Sequence, residues 1–436
     1  MQLTSPFAAH IQTLQQRLET ALQAQQLDGL VISAGVPHVH FADDHEAPFQ
    51  AVPHFAHWCP QPDPYHFLVL QPGKKPQLVR WSPQDYWAEH IRPLDAYWCA
   101  AFDIVEVPER RASWQALPTS GRWAYIGPET SMAQEWGLQT DVPLLVSQMD
   151  WDRGIKTPYE IICLEEATRL GALGHHAAKT AFDTGASEFE IHLAYLQAAG
   201  VNETELPYGA IVALNEKGAV LHYQHKRKDP RNGYVLLLDA GATYQRYGSD
   251  ITRTHCAPAA PAEFKTILQR MEEIQQRTCQ KVRSGISFVE LHHETHMAIG
   301  ALLIESQILR GCSAEEAVTT GKTTTFLPHG LGHMLGIQTH DVGGLQRNAL
   351  GEREKRSTQY PRLRTLRALR EGEVVTIEPG FYFIPVLLDK ARKDDTAGQY
   401  NWPLIDKLRG CGGIRIEDNV QVKAEGHRNL TREYLP

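Results

Sequence analysis

Apolar residues recur at Phe7, Ile11, Leu14, Leu18 and Leu22, the spacing of one helical face, and Ser5-Pro6 marks the start of that helix. The run Gly29-Leu30-Val31-Ile32-Ser33 predicts a strand, and alternating elements continue to about Asp150. Aromatics and prolines crowd residues 45–64, but no dense set of chemical residues stands out in this part. A second unit begins near residues 153–156, because Thr157-Pro158-Tyr159-Glu160 combines an N-cap, an early Pro and a capping-box Glu. The same Ser/Thr-x-x-Glu spacing returns at Ser187/Glu190 and Ser287/Glu290, so three marked helices frame what lies between them. Between them are continuous apolar runs at 234–238, 374–377 and 413–416, each read as a buried strand. Short strands on either side of a glycine-containing turn at 241–248 predict antiparallel pairing and an α+β second unit. Residues 385–408 carry no motif and read as a loop.

Each apolar run ends in a carboxylate: Asp239, Glu378 and Glu417. Asp250 lies 11 residues after Asp239, across the turn, and a hairpin brings both to one face. His333 sits in Pro328-His329-Gly330-Leu331-Gly332-His333, where glycines let backbone approach a site. An isolated buried charge is costly, so carboxylates in such settings call for a partner. Four carboxylates and one imidazole are an inventory for two divalent cations, with oxygen-rich ligation favouring Mn²⁺ over Zn²⁺ and with Co²⁺ or Zn²⁺ as alternative occupants. Two such ions side by side support metal-assisted hydrolysis through a bridging hydroxide.

Length and composition narrow the setting. A chain of 436 residues suits two domains, and 42% hydrophobic with 22% charged residues is globular. The net charge of -8 offers no basic face for nucleic acid. The N-terminus lacks a leader pattern and no long apolar run occurs, which predicts no signal peptide and no membrane span. Seven cysteines without a Cys-x-x-Cys pair read as reduced thiols of a cytoplasmic protein.

The second unit resembles the pita-bread metallopeptidases, and within them the bacterial Xaa-Pro dipeptidases. The likeness rests on Pro207-Tyr208-Gly209 with Leu221-His222-Tyr223, Leu238-Asp239-Ala240-Gly241, Ser249-Asp250-Ile251-Thr252-Arg253-Thr254, Phe326-Leu327-Pro328-His329-Gly330-Leu331-Gly332-His333, His340-Asp341-Val342-Gly343-Gly344, Thr376-Ile377-Glu378-Pro379-Gly380 and Gly412-Gly413-Ile414-Arg415-Ile416-Glu417-Asp418-Asn419. Asp43-Asp44 with Pro48-Phe49 looks like the N-terminal domain of the same subfamily.

The resemblance implies a smaller α/β N-terminal domain over 1–152 and a creatinase/aminopeptidase-like catalytic domain over 153–436. It implies that Asp239 binds one metal, that His333 and Glu378 bind the other, and that Asp250 and Glu417 bridge both. Glu378 would also shuttle the proton, with His222, His340 and Arg364 holding substrate and Arg364 taking the dipeptide's carboxylate. His340 would face the scissile carbonyl, while His329, Tyr208 and Arg415 match pocket or supporting positions. A homodimer is implied too, with the N-terminal domain of one subunit closing its neighbour's site through Asp44.

The expected activity is hydrolysis of dipeptides with C-terminal proline, with promiscuous phosphotriester hydrolysis beside it. The alternatives are an aminopeptidase P-type enzyme acting on longer chains and a non-catalytic pita-bread binding module, which would lose metal ligands. Two decoys are set aside. His292-His293-Glu294-Thr295-His296 fails the His-Glu-x-x-His zinc pattern and reads as polar surface, and Cys256 and Cys411 read as buried thiols.

Overall fold

The computed structural model describes residues 3–87, 95–229, 233–396 and 398–436. Two compact units are present, one made of Met1–Arg153, Thr157–Ile162 and Asn348–Glu352, the other of Gly154–Lys156, Cys163–Arg347 and Arg353–Pro436. No local pattern announces the short return of 348–352 to the first unit.

In the first unit, α1 (Thr4–Gln25) buries Phe7, Ile11, Leu14, Leu18 and Leu22 as their spacing requires. It starts at Thr4, before Ser5-Pro6, because a proline is tolerated in the first turn, where N–H groups have no intrahelical acceptor. Then come β1 (Gly29–Ser33), α2 (Pro53–Trp58), β2 (Phe67–Leu70), β3 (Gln77–Trp81), β4 (Asp103–Val107), α3 (Arg110–Gln115), β5 (Trp123–Ile126), α4 (Thr130–Glu135) and α5 (Pro143–Arg153). The strands form one mixed sheet in the order β4-β3-β2-β1-β5, with β1–β5 and β3–β4 parallel.

α6 (Pro158–Asp183) begins with the expected reciprocal cap, the Thr157 amide donating to Glu160 Oε2 at 2.8 Å and the Glu160 amide to Thr157 Oγ1 at 3.4 Å. His10, His57 and Glu160 are buried close enough to hold a cation. His10 uses both ring nitrogens, however, on Thr157 Oγ1 at 2.8 Å and the His57 carbonyl at 2.9 Å, so the cluster fixes the cap.

The second unit contains α7 (Glu188–Ala199), β6 (Ile211–Leu214), β7 (Val235–Asp239), β8 (Thr243–Tyr244), β9 (Tyr247–Gly248), β10 (Thr252–Cys256), α8 (Ala262–Gln280), α9 (Phe288–Glu305), α10 (Ala314–Thr319) and α11 (Lys322–Phe326). It continues with β11 (Val374–Ile377), β12 (Gly380–Tyr382), α12 (Pro385–Asp394), α13 (Trp402–Leu408), β13 (Gly413–Arg415), β14 (Asp418–Val422) and β15 (His427–Asn429). Two three-stranded antiparallel sheets, β10-β7-β6 and β11-β14-β15, are joined by the β12-β13 ribbon and a single bridge between Thr252 and Glu417.

Apolar spacing decides what covers these sheets. α8 buries Phe264, Ile267, Met271 and Ile274, one face at steps of three and four, against α9 residues Ile299 and Leu303 and strand residues Phe381 and Ile414. Each such side chain contributes about 1.5–3 kcal/mol by leaving water. α7 opens on the Ser187/Glu190 capping box and stops at Gly200, whose φ of 68° suits a residue without a Cβ. Residues 385–408 are not a loop: α12 and α13 carry proline in their first turns, and Leu388, Ala391, Ile405 and Leu408 are buried. Those apolar steps were the legible signal.

Candidate metal centre

Asp239 is the last residue of β7, and antiparallel register sets it opposite Thr252 of β10. Thr252 in turn bridges to Glu417, the Glu417 amide donating to the Thr252 carbonyl at 3.0 Å and the Thr252 hydroxyl donating to Glu417 Oε2 at 2.8 Å. Asp250 stands two residues before Thr252, its amide donating to Asn419 Oδ1 at 3.3 Å. The segment carrying His333 runs beside β11: the Thr376 amide donates to the His333 carbonyl at 2.9 Å and the Glu378 amide to the Leu331 carbonyl at 2.8 Å. Gly332 permits that approach, since a Cβ there would meet the Thr376 carbonyl oxygen at 2.0 Å.

The carboxylates from the first sheet thus meet the His333 and Glu378 segment. His333 Nε2 is 3.3 Å from Asp250 Oδ2 and 3.8 Å from Glu378 Oε1. Ligand atoms of Asp250, His333 and Glu417 all lie within 4.8 Å of one another. His333 Nδ1–H donates to the Met334 carbonyl at 3.0 Å, which fixes the tautomer and leaves the Nε2 lone pair facing the carboxylates.

Electrostatics fit a cation here. Burial, then the charge of Asp239, pushes Asp250 up to about 8. Burial pushes Glu417 well above the carboxylate range, with Asp250 and Asp239 adding repulsion, and Glu378 likewise, with Glu417 adding. So many adjacent carboxylates stay ionised at neutral pH only with positive charge between them. The donor set of carboxylates with one neutral imidazole is suited to hard and borderline divalent ions.

Arg415 supplies part of that charge. Burial opposes its ionisation, but Tyr382, Asp239, Glu378 and Glu417 outweigh that and hold it charged. Its Nη2 donates to Asp239 Oδ2 at 2.5 Å, its Nε to Thr252 Oγ1 at 3.1 Å and its Nη1 to the Tyr382 hydroxyl at 2.9 Å. Tyr382 in turn meets His329 Nε2 at 2.8 Å, while His329 Nδ1 meets the Gly330 carbonyl at 2.7 Å. A carbonyl only accepts, so His329 carries its proton on Nδ1 and the Tyr382 hydroxyl donates to Nε2. Burial, then Arg415, pushes His329 down to about 3, so it stays neutral. Tyr208 donates to Asp239 Oδ1 at 2.8 Å, and burial with the nearby carboxylates keeps that proton on its oxygen.

Tyr382 and Thr252 were missed in the sequence. Thr252 was findable, since residues i and i+2 share a strand face with Asp250. We expect Tyr382→Phe, which strips partners from two buried groups, to lower kcat/KM by roughly 10–100-fold with little loss of bound metal. Steady-state kinetics with elemental analysis on the same sample checks this.

Of the remaining expected residues, His340 places its ring 4.5 Å from that of His333, edge to face. Partial burial, then the charges of His333, Arg364 and His222, lowers its basicity. His222 and Arg364 are exposed. Of its neighbours, Arg362 is likewise exposed and unpaired among the described residues, whereas Arg367 donates to Glu373 Oε1 at 2.5 Å and Arg370 to the same oxygen at 2.7 Å. Among the described residues Arg364 has no hydrogen-bond or ion-pair partner.

His340 is followed by Asp341, whose carboxylate receives Lys156 Nζ at 2.7 Å with both side chains fully buried. Nothing near Lys156 in sequence points to this pair. Lys156→Met leaves a buried carboxylate without that partner and is expected to cost about 3–5 kcal/mol in chemical denaturation. The Lys156→Met/Asp341→Asn pair should recover most of that loss.

A second expectation is overturned. His292 and His296 are buried rather than on a polar surface. Tyr360 packs 4.5 Å and 5.0 Å from their rings, and His296 Nδ1 meets Thr323 Oγ1 at 2.9 Å. Aromatic packing and that hydroxyl make the interior acceptable to imidazoles, which burial keeps neutral. Of the two thiols set aside, Cys411 is buried and Cys256 only partly so.

A sequence profile of metallopeptidase family M24 matches residues 162–424. The chain belongs to metallopeptidase family M24. It is accordingly a metal-dependent hydrolase, and its second unit is a pita-bread fold. Residues 5–149 of this M24 chain match the N-terminal domain of Xaa-Pro dipeptidases. An Xaa-Pro dipeptidase of Shewanella woodyi is 40% identical over 436 residues, 99% of each chain, and one of Aeromonas hydrophila is 40% identical over 433 residues, 98% of each. Among solved structures, aminopeptidase P from E. coli with the inhibitor Pro-Leu superposes with a TM-score of 0.75 at 23% identity, covering 97% of this chain and 95% of that one. An aminopeptidase of Pseudomonas aeruginosa gives 0.74 at 22%, covering 97% and 94%. At such identities those two likenesses speak for the M24 fold alone.

Proposed function

We propose that this M24 chain is an Xaa-Pro dipeptidase, and the observation that carries the reading is the exposed, unpartnered Arg364, whose charge acts on His333, His340 and His329. An exposed guanidinium whose charge reaches a metal ligand suits a substrate carboxylate one residue beyond the scissile bond, because its planar fork binds carboxylates in two-point fashion. The full-length likeness to proteins named Xaa-Pro dipeptidase supports the same substrate.

In this reading Asp239, Asp250, His333, Glu378 and Glu417 would hold two divalent cations, Mn²⁺ for so oxygen-rich a set, which would supply Lewis acidity to activate water at neutral pH and polarise the scissile carbonyl. The prolyl nitrogen is a tertiary amide, so it needs a proton to leave. Glu378 would deliver it, as the most exposed of the five ligands: its side chain is 19% exposed, against 12% or less for the other four. His340, which keeps to its neutral form, donates a hydrogen bond to the carbonyl oxygen as that oxygen gains charge. His222 would contact substrate from the same side as His340, on whose basicity its charge acts. Tyr208 and Arg415 position Asp239, and His329 is held by Tyr382.

The test is chain length. The enzyme should cleave Xaa-Pro and leave Xaa-Pro-Yaa nearly untouched, since a carboxylate site rejects an amide. Efficient removal of the first residue from Xaa-Pro-Yaa would replace this reading with an aminopeptidase P activity. Arg364→Ala should raise KM for Xaa-Pro roughly thirtyfold, about 2 kcal/mol for a charged hydrogen bond, with kcat changed less. Slow cleavage of a chromogenic phosphotriester is expected from the same centre, which can polarise P=O as it does C=O. We further propose a homodimer in the cytoplasm. Seven free cysteines fit a reducing compartment, and among the described residues no helix is long and apolar enough to cross a membrane.

A further inference from the structure

Residues 38–47 of the first unit form a short hairpin. Val39 bridges Glu46, the His40 amide donates to the His45 carbonyl at 3.0 Å, and the Ala47 amide donates to the His38 carbonyl at 2.8 Å. Asp43 closes the turn, its Oδ1 accepting from the Asp44 and His45 amides at 2.8 and 3.2 Å. This register determines which side chains share a face. His38 and His40 are two apart on one strand, and His45 lies directly across from His40, so all three imidazoles project from one side of the ribbon. Ala47, opposite His38, leaves room beside them. Val39, Phe41 and Glu46 take the other side.

Two of the three pairs of rings are already close. His38 and His40 have ring centroids 6.4 Å apart, and His40 stacks on His45 at 5.5 Å with planes 13° apart. All three are exposed, and none of the three rings has a hydrogen-bond partner among the described residues. Three imidazoles around one cation, each with a metal–nitrogen distance of about 2.1 Å, set their ring centroids about 5 Å apart. Side-chain rotations at an exposed hairpin suffice to close from the present spacing to that one.

We propose that His38, His40 and His45 form a separate cation site, taking one borderline divalent ion such as Ni²⁺, Zn²⁺ or Cu²⁺ through three imidazole nitrogens and water. The ligand type separates it from the carboxylate-rich centre of the second unit, because nitrogen donors favour borderline ions while carboxylates favour harder ones. It also has a mechanical role. A two-stranded ribbon alone is marginally stable in water. A cation joining His38 and His40 to His45 ties the strands together, and orders the tip that bears Asp44 and the fully exposed Phe41.

The experiment uses tag-free, Mn²⁺-loaded full-length protein equilibrated with a small excess of Ni²⁺, dialysed and analysed for both metals. Wild type is expected to hold one more Ni²⁺ per chain than His38→Ala/His40→Ala, with equal Mn²⁺ in both. His40→Ala alone should weaken Ni²⁺ binding at least tenfold by calorimetry, with unchanged circular dichroism. Equal Ni²⁺ in wild type and the double variant overturns the proposal. A difference of half an ion per chain also overturns it, since the ion would then lie between two copies rather than within one hairpin.

Discussion

Asp250→Asn is expected to lower kcat/KM for Xaa-Pro by about 10³-fold or more and, in chelator-treated protein, to raise the unfolding temperature. The first effect follows from position. Asp250 Oδ2 lies 3.3 Å from His333 Nε2, and its ligand atom is within 4.8 Å of those of His333 and Glu417. Loss of a mere outer partner costs 10–100-fold in metal affinity or activity, so loss of a central ligand costs more. The second effect runs the other way for a physical reason. Without a cation, burial and Asp239 make the Asp250 charge unfavourable and push the group up to about 8. A neutral amide of the same shape removes that penalty. Bound-metal content, kinetics and thermal unfolding with and without chelator check both halves. Activity within tenfold of wild type, or a less stable chelator-treated variant, would rule the account out.

The stability difference between metal-loaded and metal-free protein should widen by several kcal/mol as pH rises from about 4 to about 8. Asp250 is raised from its ordinary value of 3.8 to about 8 in the metal-free fold, and Glu378 and Glu417 are raised as well. A carboxyl whose folded value is raised binds more protons folded than unfolded between those limits. Its stabilising contribution is complete below about pH 4 and is lost as pH climbs through about 8. Cations reverse the sign by favouring the deprotonated ligands, so loading releases protons and is strongest at the alkaline end. Chemical denaturation at pH 5, 6, 7 and 8, with Mn²⁺ and with chelator, measures the difference. A pH-independent separation would mean that the metal-free carboxyls do not hold protons.

Much of the centre was legible because its signals are local. A carboxylate at the end of an apolar run marks a strand that delivers charge to the interior, and Asp239, Glu378 and Glu417 are all of that kind. Capping boxes at Thr157 and Ser187 placed two helix starts for the same reason: both partners lie within four residues. The failures share a cause. His292 and His296 looked solvated because they sit among polar neighbours, whereas Tyr360 and Thr323, which bury them, are far along the chain. The 385–408 stretch lacked a motif, yet apolar steps of three were enough for helices once Phe326 and its surroundings offered a surface.

By itself the sequence marked the candidate groups, since a buried carboxylate needs a counter-charge in any fold, and most of the strands and helices that carry them. Tertiary structure decided how those groups act. The order of donors through Arg415, Tyr382 and His329 depends on partners tens of residues apart. The register that puts His38, His40 and His45 on one face is a property of paired backbones, not of spacing. Hydrogen bonds are short-ranged and directional, so only the folded chain settles which atoms meet.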